Sequence, residues 1–355
     1  MSAIATKPDK IGPSARIKMT PPLIALEEHY YSKAIFDSFE GSLKVGISKW
    51  PGALDRLFDA GELRLKEMDQ GKVSLQVISH CAADTPSLEA CRAGNDQLAK
   101  EISKSEESSL RFAGFAVLPM ADPMAAAGEL ERSIKDLGFV GALIDNKVSV
   151  GARFYDGEVY DVFWKKAEEF GVPIYLHPSW PTEELLAQTY TGNYPMRSAT
   201  VIGGAMWGWH SDVGVHVLRL HAAGVFDRFP RLKIILGHFG EMMPFMLQRI
   251  SDQELIMGRR DRPFREVWDE NIWITTSACW SLDPIRCILG NTKVDRIMYS
   301  IDYPFTTNEQ GLKWFAELES SGLLNQDQLD LIAYKNAEQL LGIKAPSKLD
   351  FNSRS

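Results

Sequence analysis

The chain of 355 residues reads as an α/β protein, a (β/α)8 TIM-type barrel with insertions after strands 1 and 5. Three observations predict it. Eight short apolar runs recur along the chain, many of them rich in β-branched residues. A longer segment with helical period generally separates one run from the next. The runs are nearly continuous, as in parallel strands buried on both faces. Periodicity alone also allows an open, doubly wound sheet. No GxGxxG follows the first run, which takes weight from a dinucleotide-binding sheet.

In chain order the runs are Leu23–Leu26, Val73–Ile78, Phe112–Val117, Val140–Ile144, Val172–Leu176, Leu232–Leu236, Ile272–Thr276 and Arg296–Ser300. Residues 30–60 and 178–212 form the two insertions, each long enough to cover an active site. Over 123–137, Ala127, Leu130, Ile134 and Leu137 recur at helical spacing among charged residues. Over 159–170, Val162, Phe163 and Ala167 do the same. Gly138 and Gly171 stand where those helices should stop before the next strand. A further helix over Val215–Ala223 makes His216 and His221 structural. Residues 1–20 read as a flexible leader, 21–345 as one barrel domain and 346–355 as a tail.

Composition narrows the function classes. Hydrophobic residues at 45% and charged residues at 24% suffice for a full core without disulfide staples. A net charge of −8 without a Lys/Arg block argues against nucleic acid or an anionic membrane as partner. No apolar run reaches the roughly 18 residues of a membrane span. Cys81, Cys91, Cys279 and Cys287 show no CxxC spacing and read as reduced thiols. Lys7, Lys10, Arg16 and Lys18 precede no apolar stretch of a secretory signal, so a cytoplasmic location is expected.

The chemistry-bearing residues fall at strand ends. Glu27 and His29 end strand 1, and their i, i+2 spacing turns both to one face. His177 ends strand 5, His238 strand 6 and Asp302 strand 8. In a barrel these ends meet at one mouth. Each residue alone has a bland explanation: a hydrogen-bonded core histidine, a capping carboxylate at Glu27, or the N-cap of the next helix at Asp302. Five together at strand termini read as a site. His80 and His210 stay open, and the sequence offers no evident base for a nucleophilic Cys81.

The Ala25-Leu26-Glu27-Glu28-His29 opening, the Leu236-Gly237-His238-Phe239-Gly240-Glu241 stretch and the Asp302-Tyr303-Pro304-Phe305 ending resemble the amidohydrolase superfamily. Within it they are most similar to γ-resorcylate, 2,3-dihydroxybenzoate and salicylate decarboxylases, relatives of aminocarboxymuconate semialdehyde decarboxylase. The resemblance spans about residue 22 to residue 343. It implies one divalent ion (Zn, Mn or Mg) on Glu27, His29, His177 and Asp302, a donor set that suits such ions. It also implies a His238–Glu241 acid–base pair; by its chemistry Asp302 could shuttle the proton, with His238 as the competing donor. Arg249 would complete a site across a subunit boundary in a homodimer or homotetramer, and Phe305 would flank the ring. After strand 4 the family places an asparagine where Asp145 stands, with Asn146 next, both near a ring-hydroxyl contact.

The expected reaction is non-oxidative loss of CO2 from a small ortho-hydroxybenzoic acid, without an organic cofactor. The rival reading is a hydrolase opening a lactone or amide on the same ligands. A hydratase and a non-catalytic metal-binding barrel are further alternatives. Glu-x-His in place of His-x-His, with Trp180, Trp207, Trp209, Tyr303 and Phe305 near strand ends, favours a flat aromatic acid.

Overall fold

A computed structural model describes residues 21–351 except 39–43, 45, 46, 49, 82–85, 149–153, 259, 347, 348 and 350. The expected leader lies outside the described residues, as does most of the tail.

All eight expected strands form: β1 Leu23–Tyr30, β2 Val73–His80, β3 Phe112–Gly114, β4 Ala142–Asp145, β5 Pro173–His177, β6 Lys233–Leu236, β7 Ile272–Thr275 and β8 Ile297–Met298. They pair in parallel as two ladders, β1-β2-β3 and β4-β5-β6-β7-β8. Single parallel bridges join the ladders at both seams, Ala116 to Ala142 and Glu28 to Tyr303. The strand order therefore runs round a ring. β8 is shorter than its apolar run because its backbone leaves the ladder early. Tyr299 N–H donates to the Ile332 carbonyl, and the Ser300 hydroxyl accepts from the Leu26 and Glu27 N–H groups at 3.2 and 2.8 Å. A side chain thus stands in for part of the ladder where β1 meets β8.

Alternation along the strands builds two apolar layers. Ile24, Leu26, Leu75, Val77, Phe115, Leu143, Tyr175, Ile235, Trp273 and Met298 fill the ring interior. Leu340 and Leu341, at the end of the helix Asn336–Leu341, join that inner cluster. Leu23, Ala25, Ile174, Ile234 and Ile274 face outward into the larger cluster beneath the helices.

The principal helices are α1 Glu62–Gln70, α2 Leu88–Ile102, α3 Pro123–Lys135, α4 Asp161–Phe170, α5 Gly208–Ala222, α6 Met243–Met257, α7 Leu282–Ile288 and α8 Asn308–Ser320. Both expected stops are left-handed, Gly138 at φ 70° and Gly171 at φ 62°, and nothing lies within 4 Å of a Cβ built at either. Backbone conformation alone explains glycine there. The insertion after β5 is helical, with Glu183–Leu185, Met196–Val201 and two wider turns leading into α5. No helix among the described residues is long and apolar enough to cross a membrane.

Candidate active site

A register irregularity aims β1 at the mouth. Ile24 and Leu26 point inward, yet Glu27 also reaches the interior, where the Tyr175 hydroxyl donates to its Oε2 at 2.5 Å. The shift in pairing with β2 between Ala25 and Glu28 supplies this change of parity. Beyond it, Glu27 and His29 share the inner face. Glu28 turns away to accept from Ile301 N–H at 2.9 Å and from Ser300 and Gln76, both at 3.2 Å. Buried Arg64 donates to the His29 carbonyl.

The donor atoms of Glu27, His29 and His177 lie within 4.8 Å of one another. His177 Nε2 is 3.5 Å from Glu27 Oε1, and Asp302 Oδ1 is 3.2 Å from His29 Nε2. Glu27 Oε1, both His29 nitrogens and His177 Nδ1 are buried without a hydrogen bond among the described residues. Buried polar atoms normally find partners, so an unpartnered oxygen of Glu27 and one nitrogen of His29 at the cluster are free to take an ion. Burial pushes His29 and His177 down to about 4, which keeps both imidazoles neutral at pH 7, as metal ligands must be. Burial works against the Glu27 charge too, but the charged His238 outweighs it and holds the carboxylate below its usual range. Burial and the Glu27 charge push Asp302 up to about 8, and a cation beside it would reverse that. These residues fit a divalent ion.

Backbone strain gathers at the same mouth. His238, Phe239, Glu241 and Met242 all have positive φ, from 46° to 64°, and Asp302 has φ 72°. Non-glycine residues in this region cost free energy and are held only by surrounding structure. The turn brings His238 Nδ1 to 2.9 Å from Glu241 Oε1 and leaves His238 Nε2 4.0 Å from Asp302 Oδ2. Burial opposes charge on His238, but Glu241 and Glu27 hold it well above the usual imidazole range. Glu241, also buried, is held down at about 2 by His238 and His210. The N-cap explanation fails for Asp302. Thr307 caps α8, and the Glu241 oxygens are engaged by His238 and His210.

Phe305 sits 5.5 Å from the His29 ring and 5.4 Å from Trp50, centroid to centroid, and Trp180 meets Trp209 edge-on at 4.6 Å. Asp145, paired in register with His177, lines a small cavity with His80, Cys81 and Tyr155. The chain also places Asn146 and Arg249. Asn146 is fully buried with its Oδ1 3.0 Å from His216 Nδ1, so this oxygen ties β4 to α5. Arg249 lies exposed on α6 and does not join the mouth of its own chain. His216 and His221 are structural as expected. His221 pairs with Glu254 at 2.9 Å. His80, left open in the sequence, meets the Ser32 hydroxyl at 2.9 Å.

His210, the other open case, is part of the site: its Nδ1 lies 2.5 Å from Glu241 Oε2. No strand run gave it an address. The one signal was a histidine in the Trp207-Gly208-Trp209-His210 stretch of the β5 insertion.

Residues 80–343 match the amidohydrolase family model. The chain belongs to the amidohydrolase family. It is 58% identical over 329 residues to the decarboxylase orsB of Emericella nidulans, covering 92% of this chain and 98% of that protein. It is 34% identical to the γ-resorcylate decarboxylase of Polaromonas sp. JS666, over 89% and 97% of the two chains. Among solved structures, a dihydroxybenzoic acid decarboxylase from Polaromonas sp. JS666, with bound manganese and the inhibitor 2-nitroresorcinol, superposes with a TM-score of 0.79 at 32% identity. That match covers 91% of this chain and 97% of the other. This amidohydrolase is an enzyme of the carboxy-lyase class.

Proposed function

We propose that this amidohydrolase releases CO2 from an aromatic acid with a hydroxyl ortho to the carboxylate, such as 2,3-dihydroxybenzoate, salicylate or a relative, and leaves a phenol. The observation that carries the reading is the position of Asp302, 3.2 Å from His29 Nε2 in the Glu27–His29–His177 cluster and 4.0 Å from His238 Nε2, beside the aromatic wall of Phe305. Direct loss of CO2 would leave an aryl carbanion. Protonation of the carboxyl-bearing carbon comes first, the ring–carboxyl bond then breaks, and its electron pair restores aromaticity. Asp302 delivers that proton, and His238, charged through Glu241, stands 4.0 Å away to replace it. Glu27, His29, His177 and Asp302 would hold the divalent ion, which when bound supplies positive charge that favours an ionised ortho hydroxyl and carboxylate. Phe305 and Trp50 present flat surfaces to the ring, and Asp145 is the candidate contact for a ring hydroxyl. A panel of acids tests this by CO2 release. Salicylate-type acids are expected to react or bind, with benzoate and 4-hydroxybenzoate inert. Efficient lactone or amide hydrolysis with no decarboxylation anywhere in the panel would sink it.

The enzyme is also expected to be a homodimer or homotetramer. Phe245, Arg249, Asp252 and Ile256 follow one stripe of α6, and Phe245, Leu255 and Ile256 are 74%, 87% and 82% exposed. Exposed apolar side chains beside Arg249 and Asp252 on one helix fit a two-fold contact between copies, with Arg249 carried toward the neighbour. Sedimentation at assay concentration should find no substantial active monomer, and Ile256→Glu should weaken association. A fully active monomer would remove Arg249 from any shared site.

A further inference from the structure

Glu241 has two oxygens and two histidine partners. His238 Nδ1 stands at 2.9 Å from Oε1, and His210 Nδ1 at 2.5 Å from Oε2. His210 Nε2 lies 3.0 Å from the Ala205 carbonyl, which can only accept, so that nitrogen donates. Glu241 is held ionised, so its Oε2 is an acceptor too. Both ring nitrogens of His210 therefore face acceptors, one on Glu241 and one on the backbone. The two histidine rings meet edge-on at 4.8 Å. His210 comes from the start of α5, behind the β5 insertion. Two residues on, Asp212 pairs with Lys147, a buried lysine just past the end of β4. The start of α5 is thus pinned to the mouth at two points, one of them the acid–base pair itself.

We infer that His210 is a positioning residue: from the segment covering the mouth it grips the second oxygen of Glu241 and so fixes how the first oxygen addresses His238. Glu241 is 1% exposed, and without His210 its Oε2 would be a buried carboxylate oxygen that has lost its partner. The carboxylate would then turn to find another partner, and the His238 ring would turn with it. His210 does not touch the reacting carbon and acts only through Glu241. It also ties the acid–base pair to the cover, so the pair is fully aligned only when the start of α5 is seated.

This inference rests on the decarboxylase reading for its kinetic test, and a spectroscopic test stands apart from it. His210→Ala is expected to lower kcat about 10- to 100-fold, the range for loss of a charge-assisted hydrogen bond, with KM within about threefold. His210→Asn, whose amide nitrogen approximates Nδ1, should recover most of that loss. In a Glu241→Gln background the same His210→Ala change should cost less than about threefold, since coupled residues are not additive. An equal loss in both backgrounds, no loss at all, or an asparagine no better than alanine would overturn the inference. Independently of any substrate, a downfield imidazole N–H resonance in 15N-histidine-labelled enzyme should disappear in both His210→Ala and Glu241→Gln. A resonance pattern unchanged by His210→Ala overturns the inference even if the enzyme decarboxylates nothing in the panel.

Discussion

Asp302→Asn is expected to abolish turnover, with a loss of at least about 10³-fold, inside the 10²–10⁴ range of a removed acid–base group. The side chain keeps its size, and the left-handed backbone at Asp302 tolerates asparagine as well as aspartate. The fold should therefore survive, which circular dichroism and the melting temperature would check. Two capacities vanish together: a carboxyl that carries a proton, and a negative charge 3.2 Å from His29 Nε2. An amide can neither deliver the proton to the ring carbon nor accept one from His238. Part of the bound metal should remain, because Glu27, His29 and His177 are untouched. CO2 release and metal content measured on one preparation separate the two roles. A variant that keeps a tenth of the wild-type rate would remove Asp302 from the proton path and leave His238 as donor.

What the sequence made legible follows from where polarity interrupts an apolar run. Glu27, His29, His177, His238 and Asp302 each stand at or just past such a run, so the run fixes their height and the barrel brings them together. Three features had no such address. The parity change between Leu26 and Glu27 is a backbone irregularity, and no residue type there signals it. Tyr175 reads as one more apolar strand residue, yet its hydroxyl lies between Glu27 Oε2 at 2.5 Å and Thr275 Oγ1 at 2.8 Å. Only the closed interior reveals that polar tip. His210 sits in an insertion whose helices have no period shared with the barrel, so its approach to Glu241 is a tertiary fact. Asn146 stands directly past a strand run, and nothing in the sequence signals that its Oδ1 meets His216 Nδ1 on α5.

The largest effect on metal content is expected from His177→Ala. Purified wild-type enzyme should contain about one divalent ion per chain, since one donor cluster with orphaned buried atoms is present at the β1 and β5 ends. Changing only the outer partners of metal ligands weakens binding about 10- to 100-fold, so deletion of a direct donor should cost at least that. Occupancy in the variant should fall below about a tenth of an ion per chain after dialysis, by that same scale. Activity should fall in parallel, and excess manganese should restore little of it. His177 is nearly buried and packs edge-on against His29 at 4.8 Å, so a cavity is the competing cause of such a loss. His177→Asn separates the causes, because it fills more of the space yet offers a weak donor. Fold loss would spare His177→Asn, whereas metal loss would affect both variants. Full occupancy in His177→Ala, or activity unchanged after exhaustive chelation of the wild type, would take the ion out of the reaction.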